Sequence, residues 1–316
     1  MSATLPAHAA RAFEANGVRA QVPLGPLTTW QIGGPAEFLL RTANIERLAA
    51  ARLAAEEAGL RVSFLGRGSN TLVADAGVSG LVLCPVDRDA PIRFEPGRVI
   101  ASAGVLMPAL ARQLADHGLA GLEFLSAIPG TLGGGVVMNA GLSSAARREL
   151  APHLEWVIVL GPGGVLRRVE GASLAFDYRT SPFQGGGDLI VEVALRTPER
   201  AEPQALLAAI AALQAERRKR QPLGTRTAGS TFFAPPSLGK AAGWYLDQVG
   251  AKGLRVGGAQ VSTVHANWIE NTGGATAADV ESVMDTLERR VRDQFGVELR
   301  REVRRLPGPQ HAGHAH

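Results

Sequence analysis

Cysteine is almost absent from the chain. Cys84 is the only one among 316 residues, so no intrachain disulfide can form and nothing argues for an oxidising compartment. It follows Leu81-Val82-Leu83 and reads as a buried strand residue. Long apolar runs are missing too: none approaches the roughly 20 residues of a membrane-spanning helix. The N-terminus has no basic segment followed by an apolar one. A cytoplasmic protein without membrane insertion is the expectation. The net charge is only +4. Although the pI is about 9.8, arginines are spread among Asp and Glu rather than massed, which does not point to nucleic acid and suits an anionic small ligand. Three motifs are also lacking: a phosphate-loop Gly-Lys-Ser/Thr, a Gly-x-Gly-x-x-Gly after a strand with an acid about twenty residues on, and a nucleophile elbow. Their absence weakens kinase, Rossmann dehydrogenase and hydrolase readings. No metal-site spacing stands behind His311, His314 and His316, so no metal is expected.

Glycine, by contrast, is concentrated. The stretch from Gly118 to Gly141 contains Gly130, Gly133, Gly134, Gly135 and Gly141, where a missing Cβ permits positive φ and close approach to a ligand. Successive bare N–H groups in such turns form an anion-binding concavity suited to a pyrophosphate. Gly66-Arg67-Gly68-Ser69-Asn70 does the same after the apolar run 62–65. Two phosphate-sized cradles suggest a dinucleotide.

The remaining pattern organises the chain. The length implies two or three compact units. Helices are expected over 7–16, after Asn44, from Pro108 to 115, from Pro203 to the basic run 217–220, and from Thr276 to Gly296. The last has a Thr276/Asp279 capping box and an apolar stripe of Val280, Val283, Leu287, Val291 and Phe295. Strands are expected over 61–65, 78–83, 98–102, 154–160, 165–169 and 189–195. Alternating strands and short helices imply α+β or α/β layers. A polar, proline-bearing break at 199–204 marks a boundary, and the tail 307–316 is expected to be disordered.

The two glycine stretches, taken with Thr29-Trp-Gln-Ile-Gly-Gly-Pro-Ala36, Tyr178-Arg-Thr-Ser181, Ala228-Gly-Ser-Thr-Phe232, Gly257-Gly-Ala-Gln-Val261, His265-Ala-Asn267 and Glu302-Val-Arg304, follow the motif order of the UDP-N-acetylenolpyruvoylglucosamine reductase (MurB) family, which the chain resembles over about residues 25–306. The resemblance implies an α+β fold: a two-lobed FAD-binding domain of the PCMH/vanillyl-alcohol-oxidase type (lobes 25–60 and 61–198), then an α/β substrate-binding C-terminal domain (200–306). It implies non-covalent FAD, NADPH as reductant, a UDP-sugar substrate and an oxidoreductase of peptidoglycan synthesis, here expected to be a monomer. By motif, the catalytic residues fall on Arg179, Ser230 and Glu302. Flavin contacts fall on Gly66, Arg67, Gly68, Ser69, Asn70, Ile128, Pro129, Gly130, Thr131, Gly133, Gly134, Asn139, Ala140, Gly141, Tyr178 and Arg304. Substrate contacts fall on Tyr245, Lys252, His265 and Asn267.

Those residue types suit the chemistry. Reducing an enolpyruvyl ether needs hydride at one vinyl carbon, a proton at its neighbour, and a cation for the adjacent carboxylate. A guanidinium at 179 holds a carboxylate in two hydrogen bonds. A serine is a weak acid, so Ser230 needs a short hydrogen-bond chain or a nearby cation to release its proton. The chain also departs from the family. Phe233-Ala234-Pro235 replaces Lys-Asn-Pro, leaving Lys240 or Arg226 as substitutes, and Leu142-Ser-Ser-Ala145 replaces a glycine-rich acidic stretch. The segment between Arg179 and Leu189 is too short for the tyrosine-bearing loop of one subtype, so the shorter subtype is expected. An FAD oxidase of the same superfamily and a non-catalytic UDP-sugar sensor are the alternatives.

Overall fold

The computed structural model describes residues 5–87, 90–142, 148–185, 187–197, 199–222, 224–233 and 239–307. The chain divides into two compact units, each assembled from several segments.

The first unit takes Met1–Gln21, Glu37–Arg67 and Ser79–Lys219. Helix α1 (Ala7–Asn16) packs Phe13 beside Leu40, Leu48 and Leu81 of one core, which α2 (Ile45–Glu57) shares. Asn44 Oδ1 accepts from Arg47 N at 2.8 Å and so caps α2, as the sequence predicts. A four-stranded sheet runs in the order Arg19–Pro23, Pro35–Arg41, Val78–Cys84, Val62–Phe64, its last pair parallel. A second sheet of five antiparallel strands runs Leu166–Glu170, Leu154–Leu160, Leu189–Arg196, Arg98–Ser102, Ile92–Glu95. Helices α3 (Met107–Asp116), α4 (Leu132–Val137) and α5 (Pro203–Arg220) complete its core, with Leu110, Leu114, Val136, Leu206 and Ile210 buried alongside Val157 and Val193. Arg52 is buried but fully engaged: it reaches Glu56 Oε1, Leu160 O and Gly187 O at 2.7–2.8 Å.

The second unit takes Val22–Ala36, Gly68–Val78 and Arg220–His316. Its antiparallel sheet runs Thr227–Ser230, Trp268–Asn271, Ala259–Val261, Arg255–Val256. Two helices, α6 (Ala242–Gln248) and α7 (Ala277–Phe295), cover its core. The capping box of Thr276 and Asp279 forms, and Asp75 adds a second cap, accepting from Ala277 N at 2.7 Å and Ala278 N at 3.0 Å. Trp30 is fully buried in this core; its Nε1 donates to Ile269 O at 2.7 Å and its carbonyl accepts from Asn271 Nδ2. Arg304–Leu306 pairs in parallel with Thr71–Val73.

The compact units do not follow the linear boundary read near residue 200. Helix α5 buries Leu206 and Ile210 in the first core, and two early segments join the second unit because Trp30, Ile32 and Leu72 bury their side chains there. The strand Pro35–Arg41 carries no clean alternation, with Leu39 and Leu40 both buried, and sequence pattern did not reveal it. Of the tail, only Pro307 is among the described residues.

Candidate functional site

In the first unit the two glycine-rich stretches meet. A Cβ on Gly66 would lie 2.6 Å from Thr131 Oγ1, so the loop 128–131 packs directly on the loop that follows Val62–Phe64. Cys84 Sγ donates weakly to Gly66 O at 3.8 Å, and burial pushes its thiol up from its ordinary pKa. Arg67 is exposed beside it, as is Pro129, while Ile128 is half-buried. Gly130 adopts φ of +121°, a conformation open almost only to glycine. Gly130 and Thr131 are buried, yet their backbone N–H groups donate to no described residue. A buried unpaired N–H costs about 1–3 kcal/mol, so an acceptor from outside the chain belongs there. The oxygens of an anionic group such as a diphosphate are acceptors of that kind.

The glycines that follow are different. Gly133 N donates to Ala103 O at 2.8 Å and Gly134 N to Thr131 Oγ1 at 3.3 Å, so neither has an N–H left for a phosphate. The expected cradle therefore narrows to Gly130 and Thr131, and Gly133 is needed for packing: its Cβ would meet Ala103 Cβ at 2.7 Å. Among the glycines of this stretch from Gly130 on, only Gly130 takes positive φ, because 132–137 form α4 and Gly141 lies in a strand.

Asn139 is 1% exposed, and its side chain faces the protein, not a ligand. Its Nδ2 donates to Glu149 Oε2 at 3.2 Å and Asp177 O at 3.0 Å, and its Oδ1 accepts from Ala151 N at 3.1 Å. The backbone there has φ of +41°. Ala140 is buried, accepting from Leu150 N at 3.0 Å. Residues 177–180 form a tight turn closed by Asp177 N to Thr180 O and Thr180 N to Asp177 O. Arg179 stands at its corner with φ of +55°. Its guanidinium donates to Gly141 O at 2.8 Å and Asn139 O at 3.4 Å, and lies 5.1 Å from the Tyr178 ring centroid. Two backbone carbonyls thus fix the direction of the cation.

In the second unit, Ser230, Glu302, Asn70, Arg304 and Asn267 form one hydrogen-bonded scaffold. The strand Thr227–Ser230 carries one extra residue relative to its partner, since Thr227 faces Glu270 but Ser230 faces Trp268. Gly229, with φ of +80°, absorbs this bulge and aims Ser230. Just beyond, Thr231 N donates to Asn267 O and Thr231 O accepts from Glu302 N at 2.8 Å. Asn267 clamps Phe232 twice: Oδ1 accepts from Phe232 N at 2.9 Å and Nδ2 donates to Phe232 O at 2.8 Å. Asn70 Nδ2 donates to Glu302 O at 3.0 Å, and Asn70 O accepts from Arg304 N. Gly68 is held by close approach, its Cβ position 2.7 Å from Thr28 Cα, and its carbonyl accepts from Thr29 N; half-buried Ser69 follows. Two buried polar atoms beside this scaffold, Thr231 Oγ1 and Trp268 Nε1, have no partner among the described residues. Sequence pattern had not singled out either, since a buried Trp and Thr read as core.

The expected substrate contacts also lie in this unit. His265 Nδ1 accepts from Asn267 N at 3.2 Å, which leaves the proton of the neutral ring on Nε2. Burial, then the neighbouring Lys252 charge, lowers its pKa. Lys252 Nζ pairs with Asp247 Oδ1 at 2.9 Å on the surface. Tyr245 is 7% exposed and packs edge-on against Trp244 and Phe295. Asn267, expected to touch substrate, uses its side chain on Phe232. Of the departures, Phe233 pairs with Arg300, Lys240 Nζ lies 5.6 Å from the Trp244 ring centroid, and Arg226 is exposed with its carbonyl accepting from Asn271 N. Residues 143–147 and 234–238 lie outside the described residues. No helix among the described residues is long and apolar enough to cross a membrane.

Comparison with known proteins supplies the family. An FAD-binding domain model matches residues 36–170, and the model of the UDP-N-acetylenolpyruvoylglucosamine reductase C-terminal domain matches residues 221–306. The chain is 42% identical over 288 residues to the UDP-N-acetylenolpyruvoylglucosamine reductase of Acidiphilium cryptum, covering 91% of each. It is 43% identical over 284 residues to that of Anaeromyxobacter dehalogenans, covering 89% of this chain and 83% of the relative. The crystal structure of the Thermus caldophilus reductase superposes with a TM-score of 0.74 at 33% identity, over 91% of this chain and 99% of that one. The α+β fold is that of an FAD-dependent oxidoreductase. More particularly, the chain belongs to the UDP-N-acetylenolpyruvoylglucosamine reductase family.

Proposed function

We propose that the chain reduces UDP-N-acetylglucosamine enolpyruvate to UDP-N-acetylmuramate in peptidoglycan precursor synthesis, with NADPH as the source of electrons. FAD, when bound, supplies the hydride it has received from NADPH. The buried N–H groups of Gly130 and Thr131 would hold its diphosphate. Arg179 binds the enolpyruvyl carboxylate and stabilises the charge that grows on it as the vinyl group is reduced, because a planar guanidinium matches a carboxylate in two bonds. Ser230 delivers the proton to the neighbouring carbon. Glu302 orients the developing acid. Lys252 and the Nε2–H of His265 serve the sugar diphosphate, lysine as a point charge. The reading takes the enzyme to act as a monomer in the cytoplasm.

The observation that carries this reading is the scaffold joining Ser230 to Glu302 through Thr231. One backbone hydrogen bond, Glu302 N to Thr231 O at 2.8 Å, links the segments bearing the proton donor and the carboxylate. The test is spectroscopic. Purified protein should show flavin absorbance that anaerobic NADPH bleaches and the enolpyruvyl UDP-sugar restores. Recovery with oxygen but not with the UDP-sugar would make the chain an oxidase, and failure of the sugar to restore colour despite binding would make it a sensor.

A further inference from the structure

Arginine is an unexpected residue at the corner of the turn 177–180. A tight turn with positive φ at its second central position normally places glycine or asparagine there, and Arg179 holds φ of +55°. A long L-side chain keeps that conformation only where its surroundings impose it. The two bonds that close the turn, Asp177 N to Thr180 O and Thr180 N to Asp177 O, do not engage the carbonyl of Arg179 itself. Gln184 does. Its Nε2 donates to Arg179 O at 2.7 Å and to Val137 O at 3.1 Å, so both hydrogens of the amide are used on carbonyls. Val137 is the last residue of α4, and its carbonyl is one that the helix leaves without an internal partner. Ser181 Oγ donates to the same oxygen at 2.7 Å and accepts from Phe183 N at 3.3 Å. Ser181 and Phe183 are buried and Gln184 is half-buried, so the short turn Pro182–Gly185 folds back and fastens to the end of α4. The guanidinium reaches the same stretch from its other end, through Asn139 O and Gly141 O. Arg179 is thus held by its backbone and by its tip against residues 137–141 of its own unit.

We infer that Gln184 is a positioning residue for Arg179: by tying the arginine's carbonyl to the end of α4, it keeps the positive-φ turn in place, so that the guanidinium meets the substrate carboxylate with its direction already set. The inference rests on the reading of Arg179 as the partner of that carboxylate. A cation fixed before the substrate arrives need not be reoriented as charge develops, and that is where preorganisation contributes to rate. Gln184 acts on the reaction only through Arg179.

The test uses the flavin-loaded enzyme without oxygen and separates its two half-reactions. In Gln184→Met, which keeps the length of the side chain and removes its donor, NADPH should reduce the flavin within about twofold of the wild-type rate. Reoxidation by saturating enolpyruvyl UDP-sugar should slow about 5- to 50-fold, the range for losing a hydrogen bond that preorganises a reacting group. Gln184→Asn, whose amide is one methylene too short to span both carbonyls, should show the same split and serves if methionine prevents folding. In an Arg179→Ala background, adding Gln184→Met should change reoxidation by less than about twofold, because the group it positions is already gone. Independently of turnover, calorimetry should show Gln184→Met weakening binding of the enolpyruvyl UDP-sugar about 3- to 10-fold, while UDP-N-acetylglucosamine, which lacks the carboxylate, binds as before. Wild-type reoxidation in Gln184→Met, equal slowing of both half-reactions, additive slowing in the Arg179→Ala background, or affinities for the two sugars that fall equally or not at all would each overturn the inference. Arg179→Ala alone separates the two levels: if it reoxidises normally, the Arg179 reading itself falls. If it is slow while Gln184→Met is normal, only the inference about Gln184 falls.

Discussion

Two buried asparagines, one in each unit, support the backbone next to a proposed catalytic side chain, and they do so in opposite ways. Asn267 reaches across to Phe232 and bonds both its N–H and its carbonyl, so the strand end after Ser230 is fixed. Asn139 bonds Glu149, Asp177 and Ala151, which holds its own backbone at positive φ and presents its carbonyl to Arg179. The difference follows from reach. A serine Oγ is separated from the backbone by a single rotatable bond, so fixing the backbone confines the atom to three staggered positions. An arginine has four rotatable bonds, and a rigid backbone leaves its tip free unless acceptors such as Gly141 O and Asn139 O catch the guanidinium.

Arg179→Lys should expose that difference most strongly. Lysine keeps the charge but cannot span two carbonyls and a carboxylate, so reoxidation by the UDP-sugar should fall by about 10²- to 10³-fold, as for loss of one preorganised donor. Rates within threefold of wild type would show that the fixed tip is not what the site requires.

The asparagines themselves give a sharper comparison. Each Asn→Ala change strands buried backbone or side-chain partners and should cost about 2–4 kcal/mol of unfolding free energy, read by denaturant titration. At position 139, glycine should be milder than alanine by about 1 kcal/mol, because it removes the left-handed strain. At position 267 the order should reverse by about 0.5–1 kcal/mol, because glycine there only adds unfolded-state entropy. The same order at both sites would refute the distinction.

Gly133→Ala and Gly130→Ala divide packing from ligand binding within one short stretch. The first introduces a Cβ 2.7 Å from Ala103 Cβ and should cost about 1–3 kcal/mol of stability while folded protein still binds FAD. The second forces alanine to positive φ beside the free N–H donors and should weaken FAD binding, measured by flavin retention on a desalting column.

Acid pH should produce the smallest effect. Burial lowers the pKa of both His153 in the first unit and His265 in the second. Each then binds fewer protons folded than unfolded, so stability is complete above the unfolded value of about 6.5 and declines as pH falls below it. Replacing either with glutamine should flatten the dependence of Tm on pH between about 7 and 5.

Much of this was legible in the sequence. Helix α1, the cap at Asn44, the capping box at Thr276 and the strands 98–102 and 154–160 are local events, set by residues within a few positions of each other. The motif order identified the family, which the relatives bear out. What escaped were contacts between distant residues. Gly130, Gly133 and Gly134 look alike in one dimension, and the acceptors Ala103 O for Gly133 and Thr131 Oγ1 for Gly134 set those two apart from Gly130. Asp75 as a second cap on α7 comes from 202 positions away.

Residue identity alone determined the local elements, the glycines able to take unusual backbone angles, and the types of side chain the reaction requires, because these depend on sterics and chemistry within a short window. Tertiary structure decided which N–H groups remain open, where the cores divide the chain, and that a tryptophan stands opposite Ser230. Those outcomes are set by which distant partner satisfies each buried group, and a hydrogen bond once made to the protein is no longer offered to a ligand.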